Sequence, residues 1–213
     1  MPSDMLVESL TQHYQKTYEQ TYQYWLQRNR TFLILLAVIG IAALITFGSP
    51  QTDSLMVFII AKIFGISDAA GRAEIQQGFS LTLIQSVFLI FVFYLMVNLH
   101  HRSHYVLRNY HYLARLEHEI RAALQLDENS VAFSRESTFY WNSRTWGNAA
   151  VKWVYIILLG LLLFVFLGGR LYTDFANHNY YLLSAELIVA APTLAFYFAY
   201  AFSSVKLDCN PYN

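Results

Sequence analysis

The chain has 213 residues, of which 56% are hydrophobic and 13% are charged. Charged residues make up about a quarter of an ordinary soluble domain, so this low share, with apolar residues in blocks, predicts an integral membrane protein. The 14 basic residues balance the 14 acidic ones, which excludes the basic excess of a nucleic-acid-binding protein. Cys209 is the single cysteine, so an intramolecular disulfide and a cysteine-built metal site are excluded.

The first segment, residues 1–30, is predicted to be an amphipathic helix on the cytoplasmic side. No glycine or proline interrupts it after Pro2, and apolar or aromatic residues recur every three or four positions. It also lacks the short apolar core and cleavage site of a signal peptide. The apolar residues 31–48 that follow are expected to form the first membrane span, which ends at a Gly-Ser-Pro turn.

Residues 49–78 are expected to form a loop on the outer side of the membrane. Within this loop, residues 54–66 are apolar except for a few positions such as Lys62. As a helix this stretch would reach about 20 Å, which is too short to cross the hydrocarbon layer unaided. We interpret it as an interfacial or re-entrant helix. The alternative is a complete span, which would place the two termini on opposite sides.

The second span is predicted at residues 79–98, which contain no charged side chain. About twenty apolar residues cover the hydrocarbon core as a helix. The helical pattern continues without glycine or proline through residues 99–126, which begin with a basic flank that includes Arg102 and Arg108. Basic flanks favour the cytoplasmic side, so we expect this continuation to be a cytoplasmic helix.

Both predicted cytoplasmic helices carry an apolar seam with spacings of three and four residues, which is typical of a helix packed on another helix. The two helices adjoin neighbouring spans, so we expect them to pair as an antiparallel two-helix stalk. The predicted seam consists of Tyr14, Tyr18 and Trp25 in the first helix and of Val106, Tyr110, Leu113, Leu116 and Ile120 in the second.

Three histidines follow one another at heptad spacing on the second cytoplasmic helix. His104, His111 and His118 fall opposite the seam, so we expect a solvated face, with a pH-sensing row or a subunit contact as alternatives. His100 and His104 stand four residues apart and can supply two metal ligands, but the sequence offers no third ligand. We therefore predict no metal site and no cofactor.

The second half of the chain is divided by the same criteria. The predicted parts are a cytoplasmic loop or hairpin at 127–148, a third span at 149–169, an outer loop at 170–180, a fourth span at 181–203 and a cytoplasmic tail at 204–213. With this division, and with Lys152 counted at the inner end of the third span, 11 of the 14 lysines and arginines lie on one side of the membrane. The distribution predicts that both termini are cytoplasmic.

Two groups of polar residues at membrane depth are candidate sites. Glu186 lies inside the fourth span, where a carboxylate is costly, and Arg170 is expected at similar depth on the preceding helix. The pair is interpreted either as an ion or proton site or as a structural ion pair. Thr82, Gln85 and Ser86 form a small polar face of the second span, which either lines a pore or joins helices by hydrogen bonds.

The predicted fold class is therefore all-α, with four transmembrane helices, the first two extended into the stalk. The layout is similar to that of small bacterial membrane proteins of the SLATT type, and the resemblance implies a pore-forming role in defence. It is a likeness of layout alone and assigns no site residue.

The sequence contains no phosphate-binding loop, nucleophile elbow or HExxH motif, so we predict that the protein is not an enzyme. We expect a homo-oligomer in a bacterial inner membrane, acting as a pore or channel. One alternative is a scaffold or accessory subunit that docks a cytoplasmic protein through Phe139, Tyr140, Trp141 and Trp146; another is a transporter that uses Glu186. The expected partners are the lipid bilayer and further copies of the chain.

Overall fold

The computed structural model describes residues 2–47, 57–59, 61–62, 65–66, 68, 81–127, 130–134 and 146–206. These residues contain four long helices and no strand. The helices are α1 (Pro2–Thr46), α2 (Leu81–Ala123), α3 (Trp146–Ala176) and α4 (Tyr180–Lys206). Each helix contains an apolar stretch long enough to cross a membrane, which suggests a multi-pass membrane protein. The predicted all-helical class with four long apolar helices is confirmed.

Helices α1 and α2 are long because nothing in their sequences stops them. The 45 residues of α1 join the amphipathic N-terminal segment to the first apolar stretch, and Gly40 is the single glycine among them. The 43 residues of α2 likewise join the second apolar stretch to the basic segment that follows. Helix α2 ends at a left-handed Gln125, where the amide of Leu126 donates to the carbonyl of Arg121 over 3.1 Å.

The chain folds into two compact units, and each unit boundary falls inside a helix. The first unit comprises Met1–Phe32, Asn98–Ile156 and Phe198–Asn213, and the second comprises Leu33–Val97 and Ile157–Tyr197.

In the first unit, the N-terminal part of α1 packs antiparallel to the C-terminal part of α2. His13 Nε2 lies 2.8 Å from the hydroxyl of Tyr112, whereas the rings of Tyr24 and Tyr105 are 4.1 Å apart between centroids. As the residue numbers rise along α1, those of the contacting residues on α2 fall, so the two helices are antiparallel. Burial of apolar surface holds the pair together. The buried seam residues of α2 are Val106, Leu113, Leu116 and Ile120, while Tyr110 and the α1 residues Tyr14, Tyr18 and Trp25 are half-buried.

Arg121 holds the segment that follows α2 against that helix through hydrogen bonds. Its guanidinium donates to the backbone carbonyls of Asp127, Ser130 and Ala132 over 2.9, 2.6 and 2.8 Å. These hydrogen bonds hold the segment that contains Phe133 close to α1. The ring of Phe133 makes an edge contact with Tyr14 at 6.0 Å between centroids. Residues 128–129 and 135–145 of the predicted loop or hairpin lie outside the described residues.

In the second unit, α3 and α4 form a helical hairpin joined by residues 177–179. Helix α3 closes at a left-handed His178, and the amide of Asn179 donates to the carbonyl of Asp174 over 3.0 Å. The side chain of Asn179 then caps α4 by accepting from the amide of Leu182 over 3.4 Å. The third span was predicted to end at Gly169, but α3 continues to Ala176 because residues 170–176 contain neither glycine nor proline.

The predicted short helix at 54–66 is described only in part. Residues 57–59 and 61–62 are helical. Gly65 has a φ of 70°, which favours glycine, and the amide of Ile66 donates to the carbonyl of Ala61 over 2.8 Å. The other residues of the predicted outer loop, including the Gly-Ser-Pro turn, lie outside the described residues.

Helices α3 and α4 approach closely where Gly160 meets Tyr197. A methyl group on Gly160 would overlap the ring and hydroxyl of Tyr197, which is buried, whereas a methyl group on Gly168 of the same helix would meet nothing. We therefore expect Gly160→Leu to lower the free energy of unfolding by about 1–3 kcal/mol through overpacking. The matched Gly168→Leu variant should show little change. Thermal unfolding of the purified proteins in nanodiscs measures both, and equal midpoints for the two variants would contradict the close approach.

Candidate functional site

The candidate site of the second unit is built on the hairpin of α3 and α4. Arg170 and Asp174 stand four residues apart on α3, and Glu186 lies on α4 within two turns of the hairpin connection. The short connection reverses the chain, so Glu186 comes to lie opposite Arg170. All three ionisable side chains are buried, with exposed fractions of 1% for Arg170 and 3% for each carboxylate.

The guanidinium of Arg170 contacts acceptors on three helices. Its Nε and Nη2 atoms donate to Glu186 Oε1 over 3.0 and 2.6 Å. Its Nη1 atom donates to Gln85 Oε1 of α2 over 2.7 Å and lies 3.3 Å from Asp174 Oδ1. Hydrogen bonds between charged groups are the strongest in proteins, so this side chain is held firmly in place.

Helices α1 and α2 complete the network around the ion pairs. Ser86 Oγ donates to Glu186 Oε1 over 3.0 Å. Gln85 Nε2 donates over 3.3 Å to the carbonyl of Ile45, one of the carbonyls at the C-terminal end of α1 that lack a partner within the helix. Each of the four helices therefore contributes at least one polar group to this network.

The formal charges of the network do not balance. Arg170 supplies one positive charge, and it is paired with two carboxylates, Asp174 and Glu186. If all three groups are ionised, the sum is one negative charge, in a place where unpaired charge is strongly unfavourable. Within the described part of the chain, two buried oxygens of these carboxylates, Asp174 Oδ2 and Glu186 Oε2, have no hydrogen-bond partner.

The structure brings several predicted site residues together. Arg170 and Glu186 are in direct contact, and the side chains of Gln85 and Ser86 reach them from α2. The hydrogen bonds of Gln85 and Ser86 join α2 to α3 and α4 within one chain. Thr82 belongs to the first turn of α2, and its side chain lies outside the described part of the structure.

Asp174 was missed because residues 170–180 were predicted to form a loop. In a loop, Asp174 has no fixed relation to Arg170. Once α3 is known to continue, the spacing of four residues places the two side chains on one helix face, where opposite charges attract. The absence of a glycine or proline between Gly169 and Ala176 was the available signal.

The first unit holds other polar side chains that the sequence analysis considered. His104, His111 and His118 are exposed, and the rings of His100 and His104 are 6.3 Å apart between centroids. Among the described residues, no group of three or more histidine, cysteine, aspartate or glutamate side chains is placed to hold a metal ion. The candidate docking residues Phe139, Tyr140 and Trp141, and the side chain of Trp146, lie outside the described part of the structure.

One buried carboxylate of the first unit was not anticipated. Glu117 lies in the apolar seam of α2 and accepts a hydrogen bond of 2.8 Å from the Tyr14 hydroxyl. A buried carboxylate requires such a donor. The contact therefore explains why a tyrosine, and not a purely apolar residue, occupies position 14 of the seam.

Comparison with known protein families, curated proteins and solved structures found no match to this chain.

The unequal charges predict unequal effects of removing each partner. Arg170→Gln leaves two buried carboxylates without a cation, so we expect a loss of about 3–5 kcal/mol in the free energy of unfolding. Glu186→Gln leaves Arg170 balanced by Asp174, so its loss should be clearly smaller. Chemical unfolding in a mild detergent compares the two, with Arg115→Gln at an exposed position of α2 as the control. A loss from Glu186→Gln as large as that from Arg170→Gln would contradict the charge count.

Proposed function

We propose that this chain is a non-enzymatic, multi-pass protein of a bacterial inner membrane that self-associates and conducts ions as a pore or channel. The observation that carries the proposal is the buried network of Arg170, Asp174 and Glu186 among helices long enough to span a bilayer. Ionisable side chains at membrane depth are rare and costly, and they mark ion pathways and proton relays.

The composition of the network favours an ion-linked role over a purely structural one. A single Arg170–Glu186 pair would join α3 to α4 with balanced charge. Asp174 adds a second buried carboxylate on the same guanidinium, which worsens the electrostatic balance without joining another helix. Such an excess carboxylate stabilises the fold only when a further positive charge is present, and this supports a site that binds ions.

The exposed face of α4 supports self-association. Buried residues make up 22% of the most apolar stretch of this helix, against 39% for α1, so α4 is the least covered of the four candidate spans. Its exposed residues include Ser184, Ala191 and Ala195. Small side chains allow a neighbouring transmembrane helix to approach closely, and we assign this face to a second copy of the chain.

The distribution of basic residues supports a cytoplasmic location for both termini, with 11 of the 14 lysines and arginines on that side. With this orientation, the antiparallel pair formed by α1 and α2 in the first unit is the proposed cytoplasmic stalk. Its buried seam explains how the two polar helical segments remain paired in water.

A flux measurement tests the proposed function. We expect the full-length protein, reconstituted in liposomes that carry a proton or potassium gradient, to dissipate that gradient. Glu186→Gln removes the carboxylate that contacts both Arg170 and Ser86, so the flux should fall by roughly tenfold or more. Glu119→Gln is the matched control, because Glu119 is exposed on α2 in the first unit.

Particle mass in the same preparation reports on self-association, for which a mass above that of one chain is expected. A correctly folded wild-type protein that passes no ions, or a Glu186→Gln variant with unchanged flux, would contradict the proposed conduction. A strictly monomeric particle would contradict self-association.

A further inference from the structure

We propose that Asp174 and Glu186 share one bound proton, held between their carboxyl groups beside Arg170. The inference deepens the proposed function and rests on it, because it names the ion that the buried network takes. The site lies near the connection of α3 and α4, whose residues 177–179 are exposed to the surroundings.

The geometry places two carboxyl groups beside one guanidinium, and one buried oxygen of each has no hydrogen-bond donor in the described part of the chain. Asp174 and Glu186 both contact the guanidinium of Arg170, so their carboxyl groups are neighbours. One oxygen of each is already engaged, since Arg170 lies 3.3 Å from Asp174 Oδ1 and 2.6 Å from Glu186 Oε1. The other oxygens, Asp174 Oδ2 and Glu186 Oε2, are buried and have no hydrogen-bond partner in the described part of the chain.

One bound proton accounts for both the charge imbalance and the two carboxyl oxygens that have no donor. An ionised carboxylate is only an acceptor, whereas a protonated one gains an O–H donor. With one proton, one carboxyl group donates to the other, and the repulsion between two adjacent carboxylates is removed. The charges of Arg170 and of the carboxyl pair then sum to zero. No proton would leave one negative charge, and two protons would leave the guanidinium without a counter-ion.

Among the described residues of the second unit, no other buried group can perform this role. Between residues 33 and 46, α1 contains no titratable side chain, and α2 presents only the neutral Gln85 and Ser86 to the network. The other titratable residues described near the hairpin connection are exposed, namely Tyr172, His178, Tyr180 and Tyr181. Within the described part of the second unit, Asp174, Glu186 and Arg170 are therefore the buried ionisable groups that contact one another.

The site suits a proton better than a metal cation. Hard metal ions in proteins take several oxygen ligands. Here Gln85 Oε1 already accepts from Arg170, and Ser86 Oγ already donates to Glu186. The adjacent guanidinium would also repel a metal ion. When the pH rises, the shared proton leaves for water as the O–H bond breaks, and one uncompensated negative charge remains within the helical unit.

Infrared spectroscopy of the full-length protein in nanodiscs tests the proposal. The carbonyl stretching band of a protonated carboxylic acid is absent when every carboxyl group is ionised, and it shifts on exchange into D2O. We expect the wild-type protein at neutral pH to show this band and to lose it as the pH is raised. Both Glu186→Gln and Asp174→Asn should abolish the band, since each leaves one carboxylate balanced by Arg170. Glu119→Gln should retain it.

The wild-type spectrum decides the matter even if a variant fails to fold. A folded wild-type protein without the band at neutral pH overturns the proposal, as does a band that survives in both folded variants. A band that disappears when choline chloride is replaced by sodium chloride also overturns it, because a metal ion then takes the site. The band without ion flux in liposomes would retain the shared proton and reject conduction, whereas flux without the band would do the opposite.

Discussion

The Arg170 guanidinium lies between the carboxylates of Asp174 and Glu186, and the packing of the second unit depends on keeping it there. Its removal from water is costly, and only ideal hydrogen-bonding geometry offsets that cost. Gln85 and Ser86 supply part of this geometry from α2, and Gln85 also reaches a terminal carbonyl of α1. The position of one side chain thus constrains four helices, since a shift of any of them would leave a buried polar group without a partner.

The connection between α3 and α4 and the packing of these two helices make this arrangement possible. The left-handed turn at His178 and the cap at Asn179 reverse the chain within three residues, which aligns the end of α3 with the start of α4. The close contact of Gly160 with Tyr197 then allows the two helices to stay near each other further along the hairpin. Polar contacts near the connection specify the alignment, and apolar packing away from it supplies most of the stabilisation.

The sequence was sufficient to predict features that depend on periodicity and composition. Uninterrupted helical patterns gave the lengths of α1 and α2, and the seam positions Leu113 and Ile120 are buried in the first unit. Features that depend on helix ends were harder to predict. The predicted third span ended at Gly169, which follows another glycine, yet both glycines lie within α3, because a glycine only weakens a helix. Residues 170–176, which include Asp174, were therefore not expected to be helical.

Tertiary contacts between distant residues could not be derived from the sequence. Glu117 appears in the sequence as one more charged residue of a basic helix, and the Tyr14 hydroxyl that donates to it belongs to another helix. Likewise, the polar face of α2 was identified, but its orientation toward Arg170 depends on how α2 packs against the α3–α4 hairpin. Spacing along one helix defines a face, and packing decides what that face meets.

A double-mutant cycle on Arg170 and Glu186 tests the central claim most directly, namely that the buried guanidinium of Arg170 is what stabilises two neighbouring carboxyl groups in the second unit. The free energies of unfolding of Arg170→Gln, Glu186→Gln and the double variant would be compared with that of the wild-type protein. We predict that the double variant is no less stable than Arg170→Gln alone, because without the guanidinium Glu186 only adds repulsion. Losses that simply add in the double variant would contradict the account.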